Sequence, residues 1–504
     1  MPIQVQEENL KAIFGLKLRQ YREAKGFSTQ HLAKKAGVSA SYINEIEKGK
    51  KYPKVDKIVA LAGALGVEYE EMVSLKLGKQ LGQLSDLLKS NALHEIPLEL
   101  FGIKISDLIG MMGDDPARFS ALMHALFEVA RNYDVRIEHL LLASLRSYQE
   151  LNDNYMGDIE EQVQQFLSDQ NWNNHPAIPY RELKKLLETA YEYEVMESSF
   201  DEQPQLRAFR SVLVPGSPPK LYVNEGLKDT QKAFVMSREL GYQKLNLEER
   251  ALSSSWINIE SFDQVFNNFK ASYFSGAVML NSVLLVEKLN DFFSKEQWEP
   301  ESLQSILDYF STTPETLIHR LTQILPHHFG LDQLFFLRFH NPSGTQQFKL
   351  TKELHLSQLH NPHRINRNEH YCRRWVTITI LQDLAEQLRE GTYRTPVIDI
   401  QKSRFHGTEN EYLCISMARP LAISEGKNSC ITLGLLIDDK LKKAINFLDD
   451  PNIPSRIVNE SCERCGIQDC RERVAEPKIY ESKKQEQSLE NELQKFLQTH
   501  SSES

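Results

Sequence analysis

Cysteine is scarce in this chain, with six residues among 504. Six cysteines are too few for a disulfide framework in a chain of this length, so we expect reduced thiols and a cytoplasmic protein. The sequence also lacks any run of about 18 apolar residues, which excludes a membrane-spanning helix. Its first residues lack the basic and apolar segments of a signal peptide. A protein that works in or across a membrane is therefore not expected.

The overall composition is that of an ordinary globular protein. Hydrophobic residues make up 41% and charged residues 25% of the chain, and the length predicts about three to four domains. Charge is distributed unevenly. Residues 9–66 contain 12 Lys and Arg against 4 Asp and Glu, a net charge of +8, whereas the rest of the chain carries −18. A basic segment on an acidic remainder attracts phosphate groups to one end of the protein.

The most informative motif lies in residues 28–49, where two short helical patterns flank a tight turn. Ser28 and Ser39 are each placed to cap a helix, and Gly37 permits the left-handed backbone that the turn needs. Helical spacing predicts that the two helices bury Leu32, Ala33, Ala36, Ile43 and Ile46. The motif is a predicted helix-turn-helix, and residues 10–72 resemble the DNA-binding domains of the Cro and lambda-repressor class. An ordinary small helical bundle is the alternative.

This resemblance implies an interface with double-stranded DNA on the second predicted helix. Its outward residues would meet the major groove, while the lysines after it and the first turn of the preceding helix would contact phosphates. The predicted DNA-binding residues are Thr29, Gln30, Ser39, Ala40, Ser41, Tyr42, Asn44, Lys48, Lys50 and Lys51. Any single lysine could instead be a solvated surface charge. A symmetric homodimer would place two such helices about one DNA turn apart, so a roughly palindromic operator is expected.

Residues 76–170 predict a helical connector, because apolar residues recur at helical spacing around Phe119–Val129 and Ile137–Leu145. Residues 175–300 resemble the zinc-peptidase-like domains found with repressor-type heads, in which one helix carries His-Glu-x-x-His as zinc ligands and general base. Here Arg238 and Tyr242 stand at the histidine positions, and only Glu239 remains. A protonated arginine cannot donate a lone pair to a metal. We therefore expect a degenerate zincin-like domain with no catalytic residue, in a protein that is not an enzyme.

Residues 305–478 predict an α+β domain. A helix at 314–325 precedes a strand at 334–339 and its hairpin partner at 346–351, and further strands are predicted at 395–400, 412–417 and 430–437, before a helix at 440–448. A central antiparallel sheet between helices suits a small-molecule sensor domain of the GAF type. A C-terminal helix and tail follow at 479–504, with an apolar stripe at Leu489, Leu493, Phe496 and Leu497.

An unusually basic and aromatic segment lies inside this domain at residues 360–375. Arginine forks suit phosphate or carboxylate groups, and Tyr371 or Trp375 could stack on a flat ring. The predicted ligand-binding residues are Arg364, Arg367, His370, Tyr371, Arg373, Arg374 and Trp375. The alternative is a solvated basic loop that bridges to acidic neighbours.

A second motif places Cys462, Cys465 and Cys470 within nine residues. Such closely spaced thiolates are typical of a metal or cluster site in a cytosolic protein, and Gly466 lets the loop turn tightly. The motif lacks a fourth ligand, for which Cys372 or His370 is the candidate. An iron–sulfur cluster, zinc, and a metal-free group of structural or redox-reactive thiols all remain open at this point. Cys414 and Cys430 lie in apolar strand patterns and are predicted core residues.

Together, the repressor-type head, the degenerate peptidase-like middle, the segment His370–Trp375 and the cysteine motif resemble the short-chain fatty-acyl transcriptional regulators of bacteria. The resemblance covers residues 10–70 and 200–475. It implies control of short-chain carboxylate metabolism through an acyl-coenzyme A effector. It also implies, for some members, a [4Fe–4S] cluster on the matching cysteines, here Cys462, Cys465 and Cys470, with Cys372 as the fourth candidate.

The predicted fold class is therefore multidomain, mainly α with an α+β C-terminal part. A five-helix lambda-repressor-like domain spans 10–75, a helical connector 76–170, a degenerate metallopeptidase-like domain 175–300, a GAF-like sensor domain 305–478, and a helix and tail 479–504. The predicted function is that of a dimeric, sequence-specific DNA-binding transcriptional regulator that responds to an acyl-coenzyme A. Two alternatives are a DNA-tethered metalloprotease that cleaves repressors and a phage-type repressor with a structural body.

Overall fold

The computed structural model describes residues 7–74, 137–253, 261–356 and 369–501. The chain divides into two compact units. The first comprises residues 1–148 and 259–265, and the second comprises residues 149–258 and 266–504. Of the predicted segments, most of the helical connector lies outside the described residues.

Five helices occupy residues 7–74 of the first unit: α1 (Glu7–Ala24), α2 (Thr29–Ala36), α3 (Ala40–Glu47), α4 (Val55–Leu65) and α5 (Tyr69–Val73). The predicted caps are confirmed, because the Ser28 and Ser39 hydroxyls accept hydrogen bonds from the amides of His31 and Tyr42, each over 3.1 Å. Gly37 ends α2 with a φ of 62°, in the left-handed region. The predicted inward residues of both helices are buried and pack with Phe14, Leu18 and Leu61.

Helices α1 and α3 approach each other closely at Gly15. A Cβ atom at this position would lie 2.1 Å from the carbonyl oxygen of Ile46. On the other side of α1, the buried Lys17 ammonium donates to the carbonyl of Glu71 over 2.8 Å and to the Ser74 hydroxyl over 2.7 Å. These contacts join α1 to the end of α3 and to the last turn of α5.

The other described helices follow in chain order: α6 (Ile137–Leu151), α7 (Gly157–Asp169), α8 (Tyr180–Ala190), α9 (Asp229–Lys244), α10 (Phe262–Met279), α11 (Ser282–Phe293), α12 (Pro300–Tyr309), α13 (Pro314–Phe329), α14 (Val376–Glu390), α15 (Asp439–Ala444) and α16 (Lys478–Ser501). None of the described helices alone is long and apolar enough to cross a membrane, although α10 and α11 meet that test as a pair bent by 64°.

A small three-stranded sheet lies in the second unit, built from β1 (Glu194–Ser198), β2 (Ser211–Val214) and β3 (Lys220–Asn224) in the order β1-β3-β2. Strand β1 is parallel to β3, and β2 is antiparallel to it. Helix α9 carries Arg238, Glu239 and Tyr242, and α10 is the next helix along the chain. The two helices pack closely, since a Cβ on Gly241 would lie 3.1 Å from the carbonyl of Ala271.

A six-stranded sheet forms the C-terminal part, with β4 (Leu334–Pro342), β5 (Lys349–His355), β6 (Val397–Phe405), β7 (Glu411–Pro420), β8 (Lys427–Leu436) and β9 (Ser455–Val458). The order is β5-β4-β8-β7-β6-β9, antiparallel except between β6 and β9. The predicted central antiparallel sheet is therefore confirmed. The expected helix at 440–448 ends early, at Ala444, and gives way to a short 3₁₀ turn.

Helices cover both faces of this sheet. Phe335, Leu337 and Phe339 of β4 pack in one buried cluster with the apolar side of α14. Successive strand residues point to opposite faces, so Phe336 points the other way, where its ring lies 4.7 Å from that of His319 on α13. Helix α13 is anchored by a fully buried ion pair between Arg320 and Glu160 of α7, at 2.5 Å.

Candidate functional site

The outward face of α3 carries the residues predicted to meet DNA. Ser41, Asn44 and Lys48 are exposed, whereas Ala40 and Tyr42 are half-buried. Tyr42 does not stand alone, because the Lys51 ammonium lies 5.2 Å from the centre of its ring and 3.6 Å from the Glu45 carboxylate. The exposed face of α3 therefore offers the amide of Asn44, the hydroxyl of Ser41, and a small cluster formed by Tyr42, Lys51 and Glu45.

The predicted phosphate contacts lie at both ends of the motif. Thr29 is half-buried and Gln30 is exposed in the first turn of α2. Ser39 is exposed, but its hydroxyl is already engaged as the cap of α3. Lys50 is exposed just beyond α3. Free amides at helix starts and lysines near helix ends are the groups that proteins use to position a duplex backbone.

An ion pair that sequence reasoning missed holds α3 in place. The Arg22 guanidinium on α1 donates to both carboxylate oxygens of Glu47, over 2.6 and 2.9 Å, and also to the carbonyl of Phe27 over 2.9 Å. The hydrogen bond to Glu47 raises the pKa of Arg22 above its usual value. In the sequence, Arg22 and Glu47 contribute only to the net charge of the segment. Because they are 25 positions apart, no local motif links them.

The two C-terminal motifs lie side by side. The amide of Cys462 donates to the carbonyl of His370 over 2.9 Å, and the amide of Cys372 donates to the carbonyl of Glu460 over 3.2 Å. The His370 imidazole contacts the Glu463 carboxylate at 2.7 Å. Residues 369–375 and 459–463 are therefore neighbours in the fold. Arg364 and Arg367 lie outside the described residues.

Three of the four candidate thiols are buried here. Cys372, Cys462 and Cys465 are 5–6% exposed, and Cys470 is half-buried. Burial raises the pKa of Cys372 to about 11, and the neighbouring Cys462 and Cys465 add to this rise. Four thiols match the ligand count of a [4Fe–4S] cluster and also that of a Cys₄ zinc site. Within the described part of the chain, no group of three or more His, Cys, Asp or Glu side chains already has metal-site geometry.

Arginines surround the cysteine loop. Arg473 donates to the carbonyls of Cys462 and Cys465 over 3.0 and 3.1 Å and so closes the loop through its backbone. Arg373 lies 4.6 Å from the Phe348 ring centre and donates to the carbonyl of Gln346, while its buried Nε and that of Arg374 have no partner among the described residues. Guanidinium groups in these positions would offset the negative charge of thiolate ligands.

The aromatic residues of this segment are not free stacking surfaces. Trp375 is 6% exposed, belongs to the core beside α14, and donates from its indole nitrogen to the carbonyl of Asn459. Tyr371 packs edge-on against Phe339, with ring centres 4.8 Å apart. Both rings therefore pack inside the domain, whereas the sequence predicted that they would face a ligand.

Helix α9 carries an ion pair at the residues that the sequence compared with a zinc-peptidase motif. The fully buried Glu239 accepts two hydrogen bonds from Arg250, over 2.8 and 2.6 Å, and Arg238 approaches it at 3.7 Å. The Arg250 guanidinium also lies 3.9 Å from the ring centre of Tyr242. Although burial opposes it, the Glu239 charge raises the pKa of Arg250. Glu239 is therefore an ion-pair partner of Arg250 in this structure.

Comparisons with known proteins concern mainly the first 72 residues. The family model described as Helix-turn-helix matches residues 18–72. The HTH-type transcriptional regulator YazB of Bacillus subtilis is 33% identical over 60 residues, 12% of this chain and 87% of YazB. The regulator y4dJ of Sinorhizobium fredii is 29% identical over 66 residues, 13% of this chain and 86% of y4dJ.

A solved Mycobacterium tuberculosis transcriptional regulator is 16% identical, with a TM-score of 0.44, and the match covers 66% of this chain and 92% of that one. The α1–α5 geometry and the YazB match together define the class of the protein. The chain belongs to the HTH-type transcriptional regulators, and its N-terminal domain is a Cro/lambda-type DNA-binding domain.

Proposed function

We propose that this regulator binds a roughly palindromic operator as a homodimer and that a short-chain acyl-coenzyme A, bound in the C-terminal part, changes its affinity for DNA. The observation that carries the DNA contact is the exposed face of α3 around Asn44, held by the Arg22–Glu47 pair. The six-stranded sheet packed between α13 and α14 supports the proposal of a ligand-binding part that is separate from the DNA-binding domain. A ligand that binds one dimer geometry better than the other shifts the population towards it.

We infer that Cys372, Cys462, Cys465 and Cys470 hold a [4Fe–4S] cluster, with zinc as the alternative. A cluster would supply redox sensitivity, and zinc would supply a structural clasp. The loop carbonyls held by Arg473 and the buried cysteine environment support this proposal. Free thiols of this kind persist in a reducing cytoplasm, which is where we place the protein. We assign no catalytic role to Glu239, since Arg250 occupies its carboxylate.

The DNA contact is tested by selecting operators from random duplexes and measuring affinity by fluorescence anisotropy. Asn44→Ala is expected to weaken binding to the selected operator by about 10- to 100-fold, as a bidentate base contact would. Binding to unrelated DNA is expected to stay unchanged, which is the internal control. Equal loss on both duplexes would remove Asn44 from base reading.

The effector is tested by repeating the titration with acetyl- and propionyl-coenzyme A. A change in operator affinity of about fivefold or more is expected for one of them. No change with either would contradict the acyl-coenzyme A proposal and leave the DNA contact intact. Sedimentation with and without operator tests the dimer, and a monomer in both conditions would contradict it.

A further inference from the structure

The C-terminal helix α16 carries an apolar stripe that no described element covers. Every residue from 481 to 500 is exposed. Four large apolar side chains recur here at helical spacing and are 56–70% exposed: Leu489, Leu493, Phe496 and Leu497. Helices in proteins gain most of their stability by packing an apolar face against another element. The stripe therefore indicates an interface with a partner outside the described part of this chain.

The start of α16 is fixed to the cysteine loop. The amides of Ile479 and Tyr480 both donate to the carbonyl of Glu463, each over 3.0 Å. The Tyr480 ring packs on the loop at Gly466, where a Cβ atom would lie 2.6 Å from the ring. The loop thus holds the first turn of the helix at two points, and this sets the direction in which the apolar stripe leaves it.

One acidic residue and one histidine end the stripe at equal distances from its middle. Glu486 lies seven positions before Leu493, and His500 lies seven positions after it. Seven positions are about two helical turns, so both residues share the side of the helix that carries Leu493. The His500 ring is held there, because it stacks on Phe496 with centres 4.1 Å apart and its Nδ1 contacts the Phe496 carbonyl at 2.8 Å.

A second copy of α16 that runs in the opposite direction matches this pattern. With a twofold axis at Leu493, this residue meets its own copy in the other chain. Leu489 of one chain then lies opposite Leu497 of the other, so apolar groups cover apolar groups. Glu486 of one chain lies opposite His500 of the other, so each end pairs a carboxylate with an imidazole. A parallel pair would instead set Glu486 against Glu486, and like charges facing each other oppose association.

The charges of α16 do not favour a membrane surface as the partner. Residues 481–500 contain three lysines and four glutamates. Amphipathic helices that bind anionic bilayers carry an excess of lysine and arginine on their polar face. The small negative charge of this segment favours a protein partner.

We propose that α16 is a contact between two copies of this chain and that the two helices pair antiparallel, with Leu493 at the centre. This inference rests on the proposed function, which requires a homodimer, and it assigns a surface that joins the two copies. Because the cysteine loop holds the first turn of each helix, the loop sets the geometry of this contact.

The first test measures the dissociation constant of the dimer of the full chain by sedimentation equilibrium. Leu493→Glu is expected to raise this constant by about tenfold or more, because it places two carboxylates together at the centre of the contact. The matched control is Asn491→Glu, which adds the same charge to the same helix. Two positions turn a helix by about 200°, so Asn491 lies opposite the stripe, and the control should leave the constant unchanged. Both residues are exposed, so neither change disturbs the core.

The second test determines the direction of the pair by disulfide crosslinking of the full chain. Leu493→Cys is expected to crosslink to itself about tenfold more than Leu489→Cys does, because only the central residue comes within disulfide distance of its own copy. A mixture of Leu489→Cys and Leu497→Cys chains should crosslink to each other. The wild-type chain gives the background from its own six cysteines. Equal self-crosslinking of Leu489→Cys and Leu493→Cys would overturn the antiparallel pair.

Operator binding, measured on the same samples, separates this inference from the proposed function. A dimer that Leu493→Glu leaves unchanged would overturn the contact at α16, while operator binding by that dimer would leave the proposed function standing. A chain that stays monomeric would contradict both the contact and the proposed homodimer. A dimer that responds to Leu493→Glu as expected but binds no operator would support the contact and contradict the proposed function.

Discussion

Arg22 and Glu47 form a bidentate ion pair that joins the last turn of α1 to the last residue of α3. The guanidinium donates to both carboxylate oxygens, and the side chains are only 12% and 8% exposed. Because Arg22 also donates to the carbonyl of Phe27, a single side chain holds α1, the turn before α2, and the end of α3. The orientation of the predicted reading helix depends on this pair.

Substitution Glu47→Gln is expected to lower the free energy of unfolding of the N-terminal domain by about 3 kcal/mol, because the buried Arg22 charge then keeps only a longer contact, 3.4 Å, with the Glu23 carboxylate. Hydrogen exchange of the α3 amides measures the loss. Asp56→Asn is the control: its carboxylate is 69% exposed and lies 3.7 Å from the Lys57 ammonium, so its removal should cost less than about 1 kcal/mol. Equal exchange rates in Glu47→Gln and wild type would show that the pair does not hold α3.

Substitution Gly15→Ala is expected to destabilise the same domain by about 1–3 kcal/mol, since the added methyl group would overlap the backbone oxygen of Ile46 and push α1 from α3. Gly63→Ala in α4 is the matched change, because nothing lies within 4 Å of its added carbon. There the better helix propensity of alanine should stabilise the domain by about 0.5–1 kcal/mol. The midpoint temperature of thermal unfolding should therefore fall for Gly15→Ala and rise for Gly63→Ala, relative to the wild type.

Substitution Lys48→Gln is expected to weaken binding to all DNA sequences by a similar factor and to reduce the slope of log affinity against log salt by about 1, as the loss of one phosphate contact does. Anisotropy titrations at several salt concentrations give this slope. Lys442→Gln, at an exposed position on α15, should leave it unchanged. A slope equal to that of the wild type would place Lys48 away from the phosphates.

Protein purified without oxygen is expected to contain iron and acid-labile sulfide at about four each per chain, and Cys462→Ala should lose both. About one zinc per chain, lost in the same variant, would support the clasp instead. Cys430→Ala is the control, because this thiol is buried in β8 and burial raises its pKa to about 12. Metal content that does not respond to Cys462→Ala would contradict both proposals.

The Glu315–Arg419 pair predicts a pH dependence of stability. Burial opposes ionisation of Glu315, but the charge and hydrogen bonds of Arg419 prevail, and the pKa falls from 4.5 to about 2. Its ionised form therefore stabilises the fold fully above pH 4.5, and this contribution, about 3 kcal/mol, disappears as the pH falls towards 2. The free energies of urea unfolding of Glu315→Gln and wild type should differ at pH 7, and the difference should shrink below pH 4.5 and vanish near pH 2. The exposed Glu386→Gln should show no such convergence.

The helix-turn-helix could be predicted almost residue by residue because its signals are local. Two capping serines, a glycine in the turn and apolar residues at helical spacing all lie within 22 positions, and the structure uses each of them. The strands of the large sheet were predicted from apolar runs for a similar reason. Helix α14 was missed, since it begins with Val376, Thr377, Ile378, Thr379 and Ile380, which favour a strand when read alone. Packing of one apolar side against the sheet makes the segment helical.

The sites were less predictable because their partners are distant in sequence. Cys372 and His370 could be predicted to lie near the cysteine loop, because three thiols need a fourth group to complete a set of metal ligands. Nothing comparable connects Arg250 to Glu239, or Arg419 to Glu315, which are separated by 104 positions and meet only through the fold. A charge count finds an excess of cations in a segment, but it cannot find an ion pair between distant segments.

Helix α14 starts directly after Trp375, and the residues just before it are tied by backbone hydrogen bonds to the cysteine loop. This helix lies on one side of the large sheet, and α13 lies on the other. Strand β4 contacts both helices, because Phe339 packs in the cluster beside α14 and the Phe336 ring lies 4.7 Å from that of His319 on α13. A movement of α14 that follows a change at the cysteine loop would therefore reach α13 through the side chains of a single strand.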